Sequence, residues 1–241
     1  HHFELAGTLE DWREHVARYC VGNSRLMLVV SCAFAAPLLE PMGADGAGIH
    51  IKGPSSDGKT TSLLVGGSVC GGGGRNGFIE TWRSTSNALE GVAEAHNDSL
   101  LCLDELAQLS PTEAGEISYL LANGRGKQRM SRTAALRPGA HWRLLFLSSG
   151  ETGLADHVAT IGRRVRGGET VRMIEVPADA ERGLGLFENL HGHAGGGAFA
   201  DYLSGAARSY YGSPLRTFLE RLVADLAANP KAVVTFVNEM R

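Results

Sequence analysis

The stretch GPSSDGKTT, Gly53 to Thr61, fits the pattern G-x-x-x-x-G-K-[ST], with Gly53, Gly58, Lys59 and Thr60 in the fixed places. Glycines at 53 and 58 let a backbone turn tightly and aim its amides at an anion. A helix starting behind such a loop adds unpaired N–H groups and a favourable dipole. Lys59 can then reach the β- and γ-phosphates of a nucleotide, and the Thr60 hydroxyl can meet Mg²⁺. The contact set expected for ATP is Gly53, Pro54, Ser55, Ser56, Asp57, Gly58, Lys59, Thr60 and Thr61. The chain has 32 glycines, so a plain glycine turn with a solvated lysine competes. The apolar run GIHIK before the loop and the helical TTSLLVGGSV behind it favour the phosphate reading.

The run SLLCLDE, 99–105, ends in two carboxylates. Buried parallel strands read as continuous apolar runs, and charges at their C-terminal ends sit at the ligand crevice of an open α/β sheet. On a strand beside the phosphate-loop strand, Asp104 is the expected partner of Thr60 in holding Mg²⁺. Glu105 is the expected base that orients or deprotonates the attacking water. A third polar step follows the buried run LLFLSSGE: Ser148 or Ser149 could touch the γ-phosphate or the water, the place called sensor 1 in AAA+ ATPases.

Two basic clusters stand out in a chain of net charge −3. Arg125, Lys127, Arg129 and Arg132 lie between the carboxylate strand and the serine strand. As a hairpin they could contact a phosphate backbone, and the lack of aromatic residues argues against base stacking. Arg163, Arg164, Arg166 and Arg172 follow the serine strand. Ring ATPases complete each site with an arginine from a neighbouring subunit. Arg172 is the first choice for that role, with Arg163 and Arg164 next.

Several elements must position these groups. The 241 residues are 43% hydrophobic and 20% charged, ordinary for a globular α/β chain. Thr8-Leu9-Glu10-Asp11 reads as a helix-capping start, and Asn23-Ser24 opens a second helix that bends or ends near Pro37. Ser110-Pro111 is expected to open the helix SPTEAGEISYLLA, with serine as cap and proline in the first helical position. Strands at 48–52, FIETW, SLLCLDE, WRLLFLSS and ETVRMIEVP alternate with helices up to about 178, which implies a mostly parallel sheet covered on both faces. The remainder reads as two helices, with AVVTFV the one strand-like run. The expected division is N-terminal helices over 1–47, a P-loop core over 48–178 and a lid-like helical extension over 179–241.

Cys20, Cys32, Cys70 and Cys102 show no C-x-x-C spacing; free buried thiols and a reducing, cytoplasmic setting are expected. The apolar run LMLVVSCAFAAPLL has 14 residues and a proline. A membrane span needs about 20, so no membrane role is expected. The opening His1-His2 and the ending NEMR suggest a piece of a longer protein.

The segments GTLEDWREHVA, GNSRLMLVVSCAFAAPLL, GPSSDGKTT, TWRSTSNALEGVAEAHNDSLLCLDE, YLLANGRGKQR, WRLLFLSSGE and GGETVRMIEVPA together resemble domain-of-unknown-function family nine-two-seven, from about residue 3 to about residue 215. The family is helicase-like, occurs in phage and mobile-element proteins, and resembles AAA+ helicases of the minichromosome-maintenance type. The resemblance implies a hexameric ring in the full-length protein, with single-stranded or forked DNA in the channel. It also implies ATP-site roles for Lys59, Thr60, Asp104 and Glu105, a sensor role for Ser149, a hairpin role for Lys127 and a trans-acting role for Arg172. Two departures from the pattern are Asp57, where a small hydroxyl residue is expected, and the glycines of SVCGGGG. The resulting expectation is an ATP-hydrolysing motor, a DNA helicase or translocase core. A non-motor ATP switch that binds a protein partner is the alternative, and a P-loop phosphotransferase ranks third.

Overall fold

In the computed structural model, residues 3–73, 77–126, 129–130, 136–137, 139–164, 168 and 172–239 are described, with backbone only at 129–130 and 136–137. The order of elements follows the hydrophobic patterning. Helix α1, Leu9–Trp12, starts at a reciprocal cap: the Asp11 amide donates to Thr8 Oγ1 at 3.1 Å, and the Thr8 amide donates to the Asp11 carboxylate at 2.8 Å. It continues through a π turn, Arg13–Ala17, into α2, Arg18–Cys20. Helix α3, Ser24–Ala35, tightens into a 3₁₀ turn at Ala36–Leu38, where Pro37 removes a donor, and passes into α4, Leu39–Met42.

Strand β1, Ala47–Lys52, leads through the glycine loop to α5, Lys59–Cys70. Then come β2, Ile79–Thr81; α6, Ser86–Ala95; β3, Ser99–Asp104; and α7, Ala114–Asn123. The short strands β4, Arg129–Met130, and β5, Leu136–Arg137, pair antiparallel, which places Arg129 of the basic segment in a two-stranded ladder. After it lie β6, Leu144–Gly150; α8, Leu154–Ala159; β7, Met173–Pro177; α9, Gly196–Ser209; α10, Ser213–Ala228; and α11, Ala232–Glu239.

Five strands form one parallel sheet in the order β2-β3-β6-β1-β7. Side chains alternate across it with period two. Leu100, Cys102 and Leu147 enter one core with Leu26, Val29 and Leu63. Leu101, Leu103, Leu144 and Phe146 enter the other with Leu89, Ile117 and Leu121. The architecture is therefore α/β, a P-loop-NTPase-like parallel sheet with helices on both faces. Helix α5 is the central one and is buried all round apart from Thr60. Gly67 in it has no room for a side chain, because a Cβ there would stand 2.8 Å from Phe78 Cβ.

Three expectations are corrected. The carboxylate strand β3 does not lie beside β1; the serine strand β6 separates them. All three strands are largely apolar runs, so their side chains carry no signal of which is central. Helix α7 begins at Ala114, not at Pro111. Residues 111–113 form a turn in which the Ser110 carbonyl accepts from the Glu113 and Ala114 amides. AVVTFV is helical, inside α11, where packing against α10 and α4 overrides the strand preference of its valines.

The continuous helical stretch Ser24–Met42 has 19 residues and a mean hydropathy of 1.4, long and apolar enough by those measures to cross a membrane. In the fold it packs on α5, with Leu26, Val29 and Ala33 fully buried. All four cysteines are free and buried.

Candidate nucleotide-binding site

The loop after β1 is held at its start by the Gly53 amide, which donates to the Gly150 carbonyl of β6 at 3.2 Å. Ser56 and Gly58 have positive φ, 69° and 85°, and together bend the chain back onto the first turn of α5. At Gly53 a Cβ would stand 2.8 Å from Ala178 Cβ, so glycine is required there by close approach. The C-terminal segment closes the other side. The Leu186 amide donates to the Asp57 carbonyl at 3.0 Å, and a Cβ on Gly58 would lie 3.3 Å from the Phe187 ring. Asp57 points back toward Gly53, with Oδ2 3.0 Å from where a Cβ would be.

Lys59 is 8% exposed. Its ammonium donates to the Gly53 carbonyl at 2.7 Å and to the Pro54 carbonyl. The charge is thus stored against neutral loop carbonyls, which an incoming phosphate can replace as a stronger, charge-assisted acceptor. Thr60 Oγ1 lies 3.2 Å and 3.5 Å from the two carboxylate oxygens of Asp104. Ser149 Oγ donates to the same carboxylate and accepts the Glu105 amide at 3.2 Å. Glu105 adopts a left-handed backbone, φ 62° and ψ 78°. That conformation costs a non-glycine residue about 1 kcal/mol or more.

The loop, the start of α5 and the tips of β3 and β6 border a cavity of about 270 Å³, lined among others by Ser55, Lys59, Thr60, Asp104, Glu105 and Ser149. A second cavity of about 260 Å³ shares Thr60 and Asp104 and adds Thr81, Gln108 and Arg208. Arg208 comes from α9, and no local pattern in the sequence marks it. Ser55 donates to Glu151, which follows the serine strand.

Thr60 and Asp104 supply hard oxygens, which suit Mg²⁺. Among the described residues no group of three or more His, Cys, Asp or Glu could hold a metal by itself. Two protein oxygens fit an ion that arrives bound to phosphate rather than one held in a cage.

The remaining candidates lie elsewhere. Arg172 stands ahead of β7, at the end of the sheet opposite the cradle. It is 4.0 Å from Asp45, with its guanidinium 5.4 Å from the centre of the Tyr119 ring. Arg163 donates to the Thr112 carbonyl at 2.8 Å, and Arg163 and Arg164 are both exposed. Arg125 is exposed at the root of the hairpin, bridged to His141 through the backbone. The Arg129 backbone pairs with Arg137, while Lys127, Arg132 and Arg166 lie outside the described residues. A larger cavity, about 520 Å³, sits at this far end among Arg125, His141, Arg143, Glu40, Asp45 and Asp98. Its lining carries acidic and basic side chains together and no glycine loop of the G-x-x-x-x-G-K-[ST] type enters it, so the smaller cavity is the better anion site.

Residues 1–141 match the family described as Domain of unknown function (DUF927), and the chain belongs to that family. The match ends well short of residue 215. Among solved structures the fold is similar to the active helicase Cch of SCCmec type IV, with a TM-score of 0.69 and 21% identity. That similarity covers 95% of this chain and 40% of the helicase, so the chain spans less than half the length of that structure. Among curated proteins no sequence matches.

Proposed function

We propose that this chain is an ATP-hydrolysing motor module, the DNA helicase or translocase core of a mobile-element or prophage replication protein. The observation that carries the reading is the meeting of Thr60 with Asp104 at the N-terminus of α5, beside Glu105 and below Lys59. Loop amides and the α5 terminus bind the phosphates, and Lys59 turns from the Gly53 and Pro54 carbonyls onto them. Thr60 and Asp104 would hold the Mg²⁺ that comes with ATP, and the ion would supply charge neutralisation at the transferring phosphoryl group. Glu105 takes the proton of the attacking water, and Ser149 fixes the carboxylate and the backbone on either side of that step.

In this reading residues 48–178 do the chemistry, 179–241 cover the cradle, and 1–47 lead into it. The hairpin β4–β5, with Arg125, Lys127, Arg129 and Arg132, contacts the DNA backbone. A homohexamer of the longer protein places an arginine, Arg172 first, in the neighbour's site. A cytoplasmic location fits the replication role. The similarity to a helicase of a mobile element supports the reading at the level of fold.

The test is ATP hydrolysis with and without single-stranded DNA. Hydrolysis that needs Mg²⁺ and rises with DNA is expected. Slow hydrolysis indifferent to DNA would replace the motor with the ATP switch.

A further inference from the structure

Three fully buried polar side chains behind the cradle form a chain that the catalytic reading does not use. His50 on β1 and Ser148 on β6 are directly opposite in the parallel register, and both are 0% exposed. His50 Nδ1 is 2.9 Å from Ser148 Oγ, and His50 Nε2 is 3.0 Å from the Thr152 carbonyl oxygen. Trp82, also 0% exposed, donates its Nε1–H to Ser148 Oγ at 3.0 Å.

Donor and acceptor capacity leaves one neutral arrangement. An indole nitrogen only donates, so Ser148 Oγ accepts from Trp82. A carbonyl only accepts, so His50 Nε2 must carry a proton toward Thr152. Neutral imidazole has one N–H, which leaves Nδ1 bare, and the Ser148 hydroxyl donates to it. The direction runs from Trp82 to Ser148 to His50 to the Thr152 carbonyl. Burial lowers the His50 pKa from its ordinary value, which keeps the ring in this neutral form.

The place of Ser148 explains what the chain can do. The β3–β6 ladder stops at Leu103↔Ser148, whereas the β1–β6 ladder runs on to Gly150. Beyond Ser148, the tip of β6 is therefore paired on one edge only. Ser149, the next residue, carries the hydroxyl that touches Asp104 and accepts the Glu105 amide. Gly150 follows, and a Cβ there would stand 3.0 Å from His50 Cε1, so the tip is fitted to the ring.

We propose that His50 is a positioning residue: with Trp82 and Ser148 it fixes the tip of β6, and so sets Ser149 against Asp104 and the Glu105 amide. The inference rests on the proposed ATPase reading for its consequence in catalysis, but its structural part stands apart from that reading.

The experiment has two arms on the whole chain. Nitrogen NMR of the histidine rings at pH 7 is expected to show His50 protonated at Nε2 and bare at Nδ1; an Nδ1–H or doubly protonated ring overturns the proposal. In Ser148→Ala the Glu105 amide is expected to exchange with deuterium about tenfold faster, as befits one weakened hydrogen bond, while the Leu101 amide is unchanged. Unchanged Glu105 exchange overturns the proposal, and so does equal acceleration at Leu101, which would mean general loosening. Where the wild type hydrolyses ATP, His50→Asn and Ser148→Ala are expected to lower kcat about tenfold with KM within twofold, His50→Asn less than Ser148→Ala. A wild type without hydrolysis refutes the ATPase reading and leaves both spectroscopic arms decisive. Hydrolysis with unaltered kcat in both variants refutes the positioning role alone.

Discussion

The Thr60 hydroxyl and a carboxylate oxygen of Asp104 meet at 3.2 Å across 44 positions of sequence, although the strands that lead to them are not neighbours. They meet because β1, β6 and β3 end level. The loop after β1 crosses the tip of β6 and delivers the start of α5 to the end of β3. In the proposed reading this pair would hold the divalent ion. Thr60→Val keeps the shape and removes the oxygen. The Mg²⁺ concentration needed for half-maximal hydrolysis is expected to rise about tenfold or more, measured by magnesium titration at saturating ATP.

Lys59 donates to two loop carbonyls. Lys59→Ala removes a charge-assisted donor to phosphate. ATP affinity is expected to fall by about 10- to 100-fold, measured with a fluorescent nucleotide. The melting temperature should hardly move, because the two carbonyls can turn to water at the loop.

Glu105, the base in the proposed reading, sits on an uncommon backbone. Glu105→Gln is expected to lower hydrolysis by about 10²–10⁴ while leaving ATP binding intact. Glu105→Gly relieves the left-handed strain and is expected to melt no lower than the wild type, also without hydrolysis. Calorimetry beside a turnover assay separates the two effects.

The hairpin and the cradle occupy opposite ends of the sheet, so their defects should separate. Lys127→Ala is expected to abolish the DNA stimulation of hydrolysis and leave the basal rate intact. Equal loss of both rates would move the DNA contact elsewhere. Mixing Arg172→Ala with Glu105→Gln subunits should restore part of the hydrolysis where the arginine acts across an interface, and no restoration at any ratio would remove Arg172 from that role.

Burial pushes the thiols of Cys20 and Cys70 up to about 12 and that of Cys32 to about 11, and raises Cys102 well above its ordinary value. Iodoacetamide at pH 8 is expected to label none of the four in the native chain and all four after unfolding. The sign for stability follows. The native state holds these protons more tightly, so stability is complete below the ordinary thiol value of 9.0 and falls as pH rises toward about 12. Melting temperatures from pH 8 to 11 should decline, and more gently in Cys20→Ala.

Much of the cradle is legible in the chain because its signals are local. The glycine spacing around Lys59, the acids that end β3 and the serines that end β6 can each be read within ten residues. The strand order is not legible, because β1, β3 and β6 are all largely buried runs and none carries a pattern that marks it as central. Arg208 is not legible for a different reason. It reaches the cavity from a helix that local pattern marks only as amphipathic, and its placement depends on how α9 packs on α5. His50 reads as a stray polar residue in a strand until Ser148 appears opposite it. The helix over AVVTFV shows the same limit from the other direction, since its β-branched residues obey their neighbours rather than their own preference.

The contact of Leu186 and Phe187 with Asp57 and Gly58 has a practical consequence for anyone dividing this chain. Ending it after Ala178 looks natural, since the last strand has just finished. Such a piece would lose the brace on one wall of its phosphate loop and expose Ile51 and Leu63, which share a core with Phe187, Phe199 and Leu203. A piece that keeps this brace and keeps this core covered extends at least through α9, so the tail and the loop have to be inherited, trimmed or transplanted together.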